Sequence, residues 1–159
     1  MMLLELDRRP TKLWLAALPP EGSDEDEPVG EGSSADVKSL RVLIVEDEFF
    51  IALHTQSILR AIGHTIVGTA VSADDAVRIA GQQLPDVVLM DIRLIGARDG
   101  VDAAAEINAR FSIPSLFVTA HTDPATRQRA AAVRPLGFLE KPLTEQRLRV
   151  GLLGVRRGS

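Results

Sequence analysis

Asp86-Val87-Val88-Leu89-Met90-Asp91 is the stretch that decides the fold of this chain. Four consecutive apolar residues, bounded by acidic residues and preceded by Pro85, are typical of a strand that is buried on both faces. Such a strand belongs in the middle of a parallel sheet, and Asp91 lies where it ends. In open α/β sheets the functional groups lie just beyond the carboxyl ends of the strands. Asp91 is therefore a candidate ligand, nucleophile or helix cap.

The alternation of apolar runs and amphipathic segments extends over most of the chain. Strands are predicted at 40–45, 65–70, 86–91, 114–118 and 137–140, and helices at 49–62, 72–83, 100–110, 123–133 and from 144 onwards. Five strands that alternate with five helices through short loops require a parallel sheet with helices on both faces. We therefore predict an α/β, doubly wound domain over residues 39–155, followed by a short tail at 156–159.

Residues 1–38 differ in composition from the rest and form a predicted N-terminal extension. They contain nine acidic and four basic residues. The part that follows Pro20 is acidic, rich in Gly and Ser and nearly free of apolar side chains, so we predict a flexible linker. Two interpretations of the first twenty residues stay open. They are either a disordered tail or a short helix that docks on this protein or on a partner, with Trp14 as its anchor.

Composition excludes several classes of protein. The chain has no cysteine, which excludes disulfides, thiolate metal sites and cysteine nucleophiles. No apolar run approaches the roughly 18 residues of a membrane span. The net charge is −4, and its distribution lacks the strongly basic domain of a nucleic-acid-binding protein. We therefore expect no membrane and no nucleic-acid partner, and a cytoplasmic location.

Polar residues follow four of the predicted strands. Glu46 and Asp47 follow the first strand, Asp91 ends the third, Thr119 follows the fourth and Lys141 follows the fifth. The carboxyl ends of parallel strands share one edge of the sheet. Crowded carboxylates there need a cation and offer the hard oxygen ligands that Mg²⁺ prefers, while a hydroxyl and an ammonium can hold phosphoryl oxygens. These are the groups needed for phosphoryl transfer to an aspartate.

Four short motifs in this order resemble the receiver domain of two-component response regulators. They are Val45-Glu46-Asp47, Met90-Asp91, Val118-Thr119-Ala120 and Glu140-Lys141-Pro142. The resemblance covers about residues 40–155. It implies a flavodoxin-like sheet of five parallel strands in the order 2-1-3-4-5.

The resemblance also implies a role for each site residue. Asp91 would accept a phosphoryl group from a histidine kinase or a histidine phosphotransfer protein. The implied ligands of Mg²⁺ (or another divalent cation) are Glu46 through water, Asp47, Asp91 and the backbone carbonyl of Arg93. Thr119 and Lys141 would bind the phosphoryl oxygens, and Thr119 and Phe138 would form the switch. The Lys141–Pro142 peptide bond is expected to be cis.

Some segments depart from the usual receiver pattern. The loop Ile92–Gly100 is long, carries two arginines and resembles a subgroup that includes general-stress and antitermination regulators. We expect Arg93 and His121, both near the site, to modulate the lifetime of the phosphoryl group. Residues 134–137 replace the usual Gly-Ala pair before the fifth strand. His64 follows a helix end and is expected at the surface.

The leading interpretation is a single-domain response regulator, because only five residues remain after the last helix. It would not be an enzyme but a phosphoacceptor that assists its own Mg²⁺-dependent phosphorylation and dephosphorylation. It would act by contacts with an unknown downstream protein, or as a phosphate sink or relay. A homodimer is possible through a surface that includes Arg127, Arg134, Glu140 and Glu145.

Two other classes of function compete with this interpretation. One is a phosphorylation-independent binding module that acts through the N-terminal extension. The other is a dehalogenase-like phosphatase, which needs an acid two residues after its nucleophile to protonate the leaving group. Arg93 occupies that position and argues against the phosphatase.

Overall fold

The computed structural model describes residues 38–155. Its strands are β1 (Arg41–Val45), β2 (Thr65–Ala70), β3 (Val87–Asp91), β4 (Ser115–Thr119) and β5 (Gly137–Glu140). Its helices are α1 (Phe49–Ala61), α2 (Ala73–Gln83), α3 (Gly100–Phe111), α4 (Pro124–Ala132) and α5 (Glu145–Leu152). The strands are parallel and lie in the order β2-β1-β3-β4-β5, so the predicted fold and strand order are confirmed. The predictions for the N-terminal extension, including the Trp14 anchor, lie outside the described residues.

The central strand β3 is buried along its whole length because both of its faces are covered. Val88 and Met90 face a core layer that includes α2 and α3, while Val87 and Leu89 face a layer that includes α1 and α5. This alternation follows from the two-residue period of a strand. It explains why the sequence of β3 is apolar without interruption.

Side-chain caps fix where four of the helices begin. Ser72, Asp99, Asp123 and Thr144 each accept a hydrogen bond from a backbone N–H in the first turn of the helix that follows. Asp99 and Asp102 form a reciprocal capping box at α3. Because Asp99 caps this helix, the carboxylate of Asp91 is free for another role.

Helix α1 turns part of its apolar sequence towards solvent. Phe50 and Leu53, whose spacing contributes to the helical pattern, are 81% and 43% exposed, and Phe49 is 69% exposed. The helix buries Ala52, Thr55 and Leu59 instead. The predicted helix is therefore confirmed, but its buried face is not the most apolar one.

His64 is buried, so the expectation of a surface position is wrong. Its Nδ1 accepts a hydrogen bond of 3.2 Å from the backbone N–H of Leu40, which ties the start of β1 to the turn before β2. Burial lowers the pKa of His64 below its ordinary value of 6.5, and the nearby charge of Arg149 acts in the same direction. A protonated ring would also lose the acceptor at Nδ1.

This buried histidine predicts a loss of stability in mild acid. The unfolded chain takes up the proton near pH 6.5 and the folded chain only at lower pH, so the free energy of unfolding falls as the pH drops below that value. The slope contributed by one group is at most about 1.4 kcal/mol per pH unit. In urea unfolding between roughly pH 7.5 and 5.5, the free energy of unfolding of His64→Gln should fall less steeply with decreasing pH than that of the parent chain. The matched variant His54→Gln, at an exposed position, should keep the pH dependence of the parent chain. Equal slopes in the two variants would show that His64 is not the source of this pH dependence.

The turn between α4 and β5 carries backbone strain. Arg134 has a φ of +56°, in the left-handed region, and it precedes Pro135. A side chain in this region costs roughly 1–2 kcal/mol, whereas glycine adopts it freely. Arginine in place of the usual glycine at this turn therefore lowers the free energy of unfolding.

Arg134→Gly is expected to raise the free energy of unfolding by about 1 kcal/mol, because the strain is relieved and the exposed side chain makes no ion pair within residues 38–155. Gln128→Gly, at an exposed position inside α4, is the control with the opposite sign and should cost about 1 kcal/mol. Chemical denaturation of the two variants and of the parent chain would measure both changes. A lower stability of Arg134→Gly would show that the arginine side chain stabilises this turn.

In the part of the chain that the structure covers, no helix combines the length and the apolar character needed to cross a bilayer.

Candidate functional site

Three carboxylates meet at the carboxyl edge of the sheet. Glu46 and Asp47 follow β1, and Asp91 is the last residue of β3. Val45 and Met90 are partners in the β1–β3 ladder, so the two strand ends lie side by side. One oxygen from each carboxylate lies within 4.8 Å of the others. Glu46 and Asp91 are buried, and Asp47 is half-buried.

Lys141 lies among these carboxylates. Its Nζ is 2.8 Å from Oε2 of Glu46 and 2.9 Å from Oδ2 of Asp91. Burial alone would lower the pKa of Lys141, but the hydrogen bonds and charges of the two acids outweigh burial and raise it. The ammonium therefore stays protonated at neutral pH. It offsets part of the repulsion between two buried carboxylates.

Backbone N–H groups hold the other oxygens of these two acids. The N–H of Arg93 donates to Oδ1 of Asp91 at 3.0 Å, and the N–H of Glu48 donates to Oε1 of Glu46 at 3.1 Å. Burial raises the pKa of Glu46 even though the bonds to Lys141 and Glu48 oppose it. The buried acids are thus orientated by fixed donors, while their negative charge is only partly compensated.

The donor set fits a hard divalent cation. The converging atoms are carboxylate oxygens, which Mg²⁺ prefers, and the half-buried Asp47 leaves room for water to complete an octahedral shell. Glu46, Asp47 and Asp91 are also the three carboxylates that the sequence predicts as ligands of the cation. The structure places the N–H of Arg93 against Asp91, and the proposed ligand role of its carbonyl stays a prediction.

Thr119 lies at the end of β4 and has a partner that the sequence analysis missed. Its Oγ1 is 2.6 Å from Oγ1 of Thr122, and its backbone carbonyl accepts a hydrogen bond of 2.9 Å from the N–H of Lys141. Thr122 directly precedes Asp123, the cap of α4. This position is the only feature of the sequence that could have pointed to Thr122 as a partner of Thr119. Thr119 follows Val118, the ladder partner of Asp91, so it lies at the same edge of the sheet as the carboxylate cluster, and its hydroxyl is held by Thr122.

The Lys141–Pro142 peptide bond is cis, as predicted. Residues 42–152 match the family model described as the response regulator receiver domain. The chain belongs to this family.

The curated relatives of this receiver domain include bacterial regulators. The transcriptional regulatory protein PdtaR of Mycobacterium tuberculosis is 38% identical over 104 residues, which are 65% of this chain and 50% of PdtaR. The phyllosphere-induced regulator PhyR of Methylorubrum extorquens is 33% identical over 95 residues, which are 59% of this chain and 35% of PhyR. The chain thus spans half or less of the length of these relatives.

Solved receiver domains have the same fold. The signal receiver domain of a modulated diguanylate cyclase from Desulfovibrio desulfuricans aligns with a TM-score of 0.69 and 38% identity, over 72% of this chain and 90% of that one. The receiver domain of PhyR from Erythrobacter litoralis aligns with a TM-score of 0.64 and 30% identity, over 76% and 95% of the two chains.

Two of the remaining predicted residues share a cavity with Thr119, and the third follows Asp91. Phe138 on β5 is half-buried and stacks on Phe117, with ring centroids 5.6 Å apart and an interplanar angle of 25°. His121 is exposed and lines the same cavity as Thr119 and Phe138. Arg93 is exposed at the start of the loop after Asp91. The residues predicted for the switch therefore share a cavity with His121, and the switching and modulating roles stay predictions.

Proposed function

We propose that this receiver domain accepts a phosphoryl group on Asp91. The observation that supports the proposal best is the setting of this carboxylate at the end of the central strand. It is buried, yet it lies in a group of acids and accepts hydrogen bonds from Lys141 and from the N–H of Arg93. A nucleophile needs such fixed orientation, and a mere helix cap would not need an ammonium beside it.

In the transfer step one P–O bond forms and one P–N bond breaks. An oxygen of the Asp91 carboxylate attacks the phosphorus of a phosphohistidine, and the P–N bond breaks as the new P–O bond forms. The imidazole leaves with the electron pair of that bond and takes up a proton at the freed nitrogen. A histidine kinase or a histidine phosphotransfer protein would supply the phosphohistidine.

Glu46, Asp47 and Asp91, with the backbone carbonyl of Arg93, would hold Mg²⁺ or another divalent cation. When bound, the cation supplies charge neutralisation for the phosphoryl oxygens. The chain itself orientates Asp91 through the Arg93 N–H, and it offers the ammonium of Lys141 and the hydroxyl of Thr119 to the incoming oxygens. These two donors favour the charge that is transferred to the site.

This domain would assist its own phosphorylation and dephosphorylation rather than turn over a separate substrate. Arg93 and His121 are exposed and close to the ends of β3 and β4, so they can alter the approach of water to the phosphorylated carboxylate. We propose that they modulate the lifetime of the phosphoryl group. The switch would consist of Thr119 and Phe138, which line one cavity beside the site.

The phosphodonor would contact α1. Phe49 and Phe50 are exposed at its first turn, directly after the acidic residues that follow β1, and their rings meet edge to face at a centroid distance of 5.5 Å. An adjoining cavity of about 500 Å³ is lined by apolar groups of Phe50, Ile51 and Leu143 and also reaches Lys141. An apolar surface beside the phosphoacceptor suits a helix that must bring its histidine within reach of Asp91.

Output would pass through contacts with a downstream protein, or the domain would serve as a phosphate sink or relay. One structural neighbour, PhyR of Bartonella quintana, is named an anti-anti-sigma factor, with 27% identity and a TM-score of 0.59. A partner protein that recognises the phosphorylated domain is therefore the form of output that we propose. A homodimer through the surface around α4 and β5 would be a second way in which protein contacts carry the output.

The experiment that tests the function is labelling of the full chain with acetyl phosphate. Labelling should require Mg²⁺, and removal of the cation by a chelator should lower the rate by at least about tenfold, because the acids repel the phosphoryl oxygens without it. Labelled protein separates from unlabelled protein on a phosphate-affinity gel. Restoring Mg²⁺ should restore the rate.

Matched variants connect the Mg²⁺ requirement to the carboxylate cluster. Asp47→Asn removes one of the clustered charges and should raise the Mg²⁺ concentration needed for half-maximal labelling by at least about tenfold. Glu48→Gln, at the exposed neighbouring position, should leave it unchanged. Labelling that proceeds equally with and without Mg²⁺ would refute the proposed cation role.

A further inference from the structure

The loop Ile92–Gly100 begins and ends against Asp91. At its start the N–H of Arg93 donates to Oδ1 of Asp91 at 3.0 Å. At its end Gly100 packs so closely on the backbone oxygen of Asp91 that there is no room for a Cβ, and its N–H donates to the carbonyl of Ile92 at 2.9 Å. The far end of the loop is therefore linked directly to the backbone of Asp91.

Between these two ends the loop gains little from packing. Ile95, Gly96 and Ala97 are all exposed, and Gly96 has a φ of +120°. Leu94 is the residue of the stretch 94–97 that packs against the core. An ordered loop must offset the conformational entropy that its residues lose, and burial offsets little of it here. Polar contacts therefore contribute much of what holds this loop in one position.

Arg98, two residues before Gly100, makes the first of two ion-pair contacts that hold the end of the loop. Its Nη2 contacts Oε2 of Glu106, and its Nη1 is 2.8 Å from Oδ1 of Asp74. The Glu106 side chain is 31% exposed, and its other oxygen is 2.9 Å from Nη1 of Arg110, so this carboxylate is held from two sides. The Asp74 side chain is 82% exposed, where an ion pair contributes little. Glu106 is therefore the partner that holds Arg98 in place.

Arg129 in α4 makes the second contact. Its Nη1 is 2.9 Å from Oδ2 of Asp99, the last residue before α3, and its Nη2 is 3.2 Å from Oδ1 of Asp102. Burial would raise the pKa of Asp99, but the hydrogen bonds from Arg129 and from the N–H of Asp102 outweigh burial and lower it. Asp99 therefore stays ionised at neutral pH. The guanidinium of Arg129 thus fastens the residue that caps α3 and adjoins Gly100.

We propose that Arg98 and Arg129 are positioning residues for Asp91, an inference that rests on the function proposed for this carboxylate. They hold the far end of the loop, and the close contact at Gly100 passes this restraint to the backbone of Asp91 and Arg93. The N–H of Arg93 then keeps the carboxylate in one orientation, as attack on phosphorus requires. Without the two guanidinium groups the loop opens more often, and Asp91 spends less time in this orientation.

Hydrogen exchange of single backbone amides measures how often the loop opens. It is followed by NMR in the full chain without added cation. In the double variant Arg98→Gln/Arg129→Gln, we expect the amides of Arg93 and Gly100 to exchange at least about fivefold faster than in the parent chain. This factor is taken relative to any change at the amide of Leu89 in β3, which reports unfolding of the whole domain.

Two further variants are matched controls for this measurement. Arg78→Gln/Arg149→Gln removes two exposed arginine ion pairs elsewhere, with the same change in charge, and should leave the loop amides at the parent rate. Glu106→Gln removes the partner of Arg98 instead, and should accelerate the same loop amides as Arg98→Gln does. Arg98→Gln added to Glu106→Gln should produce little further acceleration, because both substitutions break one contact.

Labelling by acetyl phosphate with saturating Mg²⁺ tests the effect on Asp91. The maximal rate of Arg98→Gln/Arg129→Gln should fall about three- to tenfold, because fewer molecules hold the carboxylate in the reactive orientation. The acetyl phosphate concentration that gives half the maximal rate should stay near that of the parent chain, since the ion-pair partners of both arginines lie outside the carboxylate cluster. The control Arg78→Gln/Arg149→Gln should keep both values.

Unchanged exchange at the amides of Arg93 and Gly100, or equal acceleration in the control double variant, would overturn the inference. A maximal labelling rate that stays at the parent value while the loop opens faster would also overturn it, because the loop would then not position Asp91. If the parent chain itself is not labelled, the function proposed for Asp91 fails. The exchange rates still decide in that case whether the two arginines hold the loop.

Discussion

Asp91→Asn is expected to reduce labelling by acetyl phosphate to background in the presence of Mg²⁺, a loss of at least about a hundredfold. The amide is a much weaker nucleophile than the carboxylate and a poorer ligand for a divalent cation. It keeps almost the same shape, so one oxygen can still accept the hydrogen bond from Lys141 or from the N–H of Arg93. The loss should therefore occur in a folded protein, which circular dichroism and urea unfolding can establish.

A second aspartate provides the control for chemical specificity. Asp74→Asn removes a carboxylate that is 82% exposed and pairs with Arg98 on the surface. This variant should be labelled at the parent rate, because a surface ion pair contributes little and Asp74 is not one of the clustered acids. Persistent labelling of Asp91→Asn, at a residue that mass spectrometry places elsewhere, would remove Asp91 from its proposed role.

Gly100→Ala is expected to lower the free energy of unfolding by about 3 kcal/mol or more. A Cβ at this position would clash with the backbone oxygen of Asp91 and would lie 3.0 Å from Cα of Ile92. Both neighbours are backbone atoms, so a side-chain rotation cannot relieve the clash. The N–H of Gly100 also donates to the carbonyl of Ile92 at 2.9 Å, which fixes the start of α3 against the end of β3.

The same substitution should impair phosphorylation, because any relief of the clash must move the backbone of Asp91. Urea unfolding measures the stability, and acetyl phosphate labelling under conditions where the variant stays folded measures the chemistry. Gly154→Ala is the matched control, since a Cβ there meets no atom within 4 Å. It should change stability by less than about 0.5 kcal/mol. A Gly100→Ala chain as stable as this control would show that the approach of α3 to β3 is adjustable.

The fold and the gathering of the carboxylates were predictable from local patterns. Apolar runs that alternate with amphipathic helices leave few topologies, and a buried parallel strand explains β3. The sequence predicts that Glu46 and Asp91 lie together because each ends or follows a strand, and the ladder between β1 and β3 brings the strand ends side by side. Lys141 was expected at the same edge, and the structure shows it paired with both acids.

Contacts between elements were much harder to predict. The sequence pattern of α1 places Phe50 among the residues with helical spacing, yet the sheet contacts a face with smaller side chains. His64 looks like a surface residue after a helix end, but its ring accepts a hydrogen bond from Leu40. The contact of Thr119 with Thr122 depends on the path of one loop. None of these has a periodic signal, because each depends on how two segments dock.

The sequence by itself determined the order of strands and helices, the burial of β3 and the set of polar residues at one edge of the sheet. Hydrophobic periodicity and the direction of parallel strands suffice for these features, since they are local or follow from chain connectivity. Only the tertiary structure decided that Arg127 and Arg147 face one cavity while Arg129 and Arg149 form ion pairs. It also decided that Gly100 must lack a side chain. Both facts depend on distances between atoms of separate elements, which close packing fixes and residue spacing does not encode.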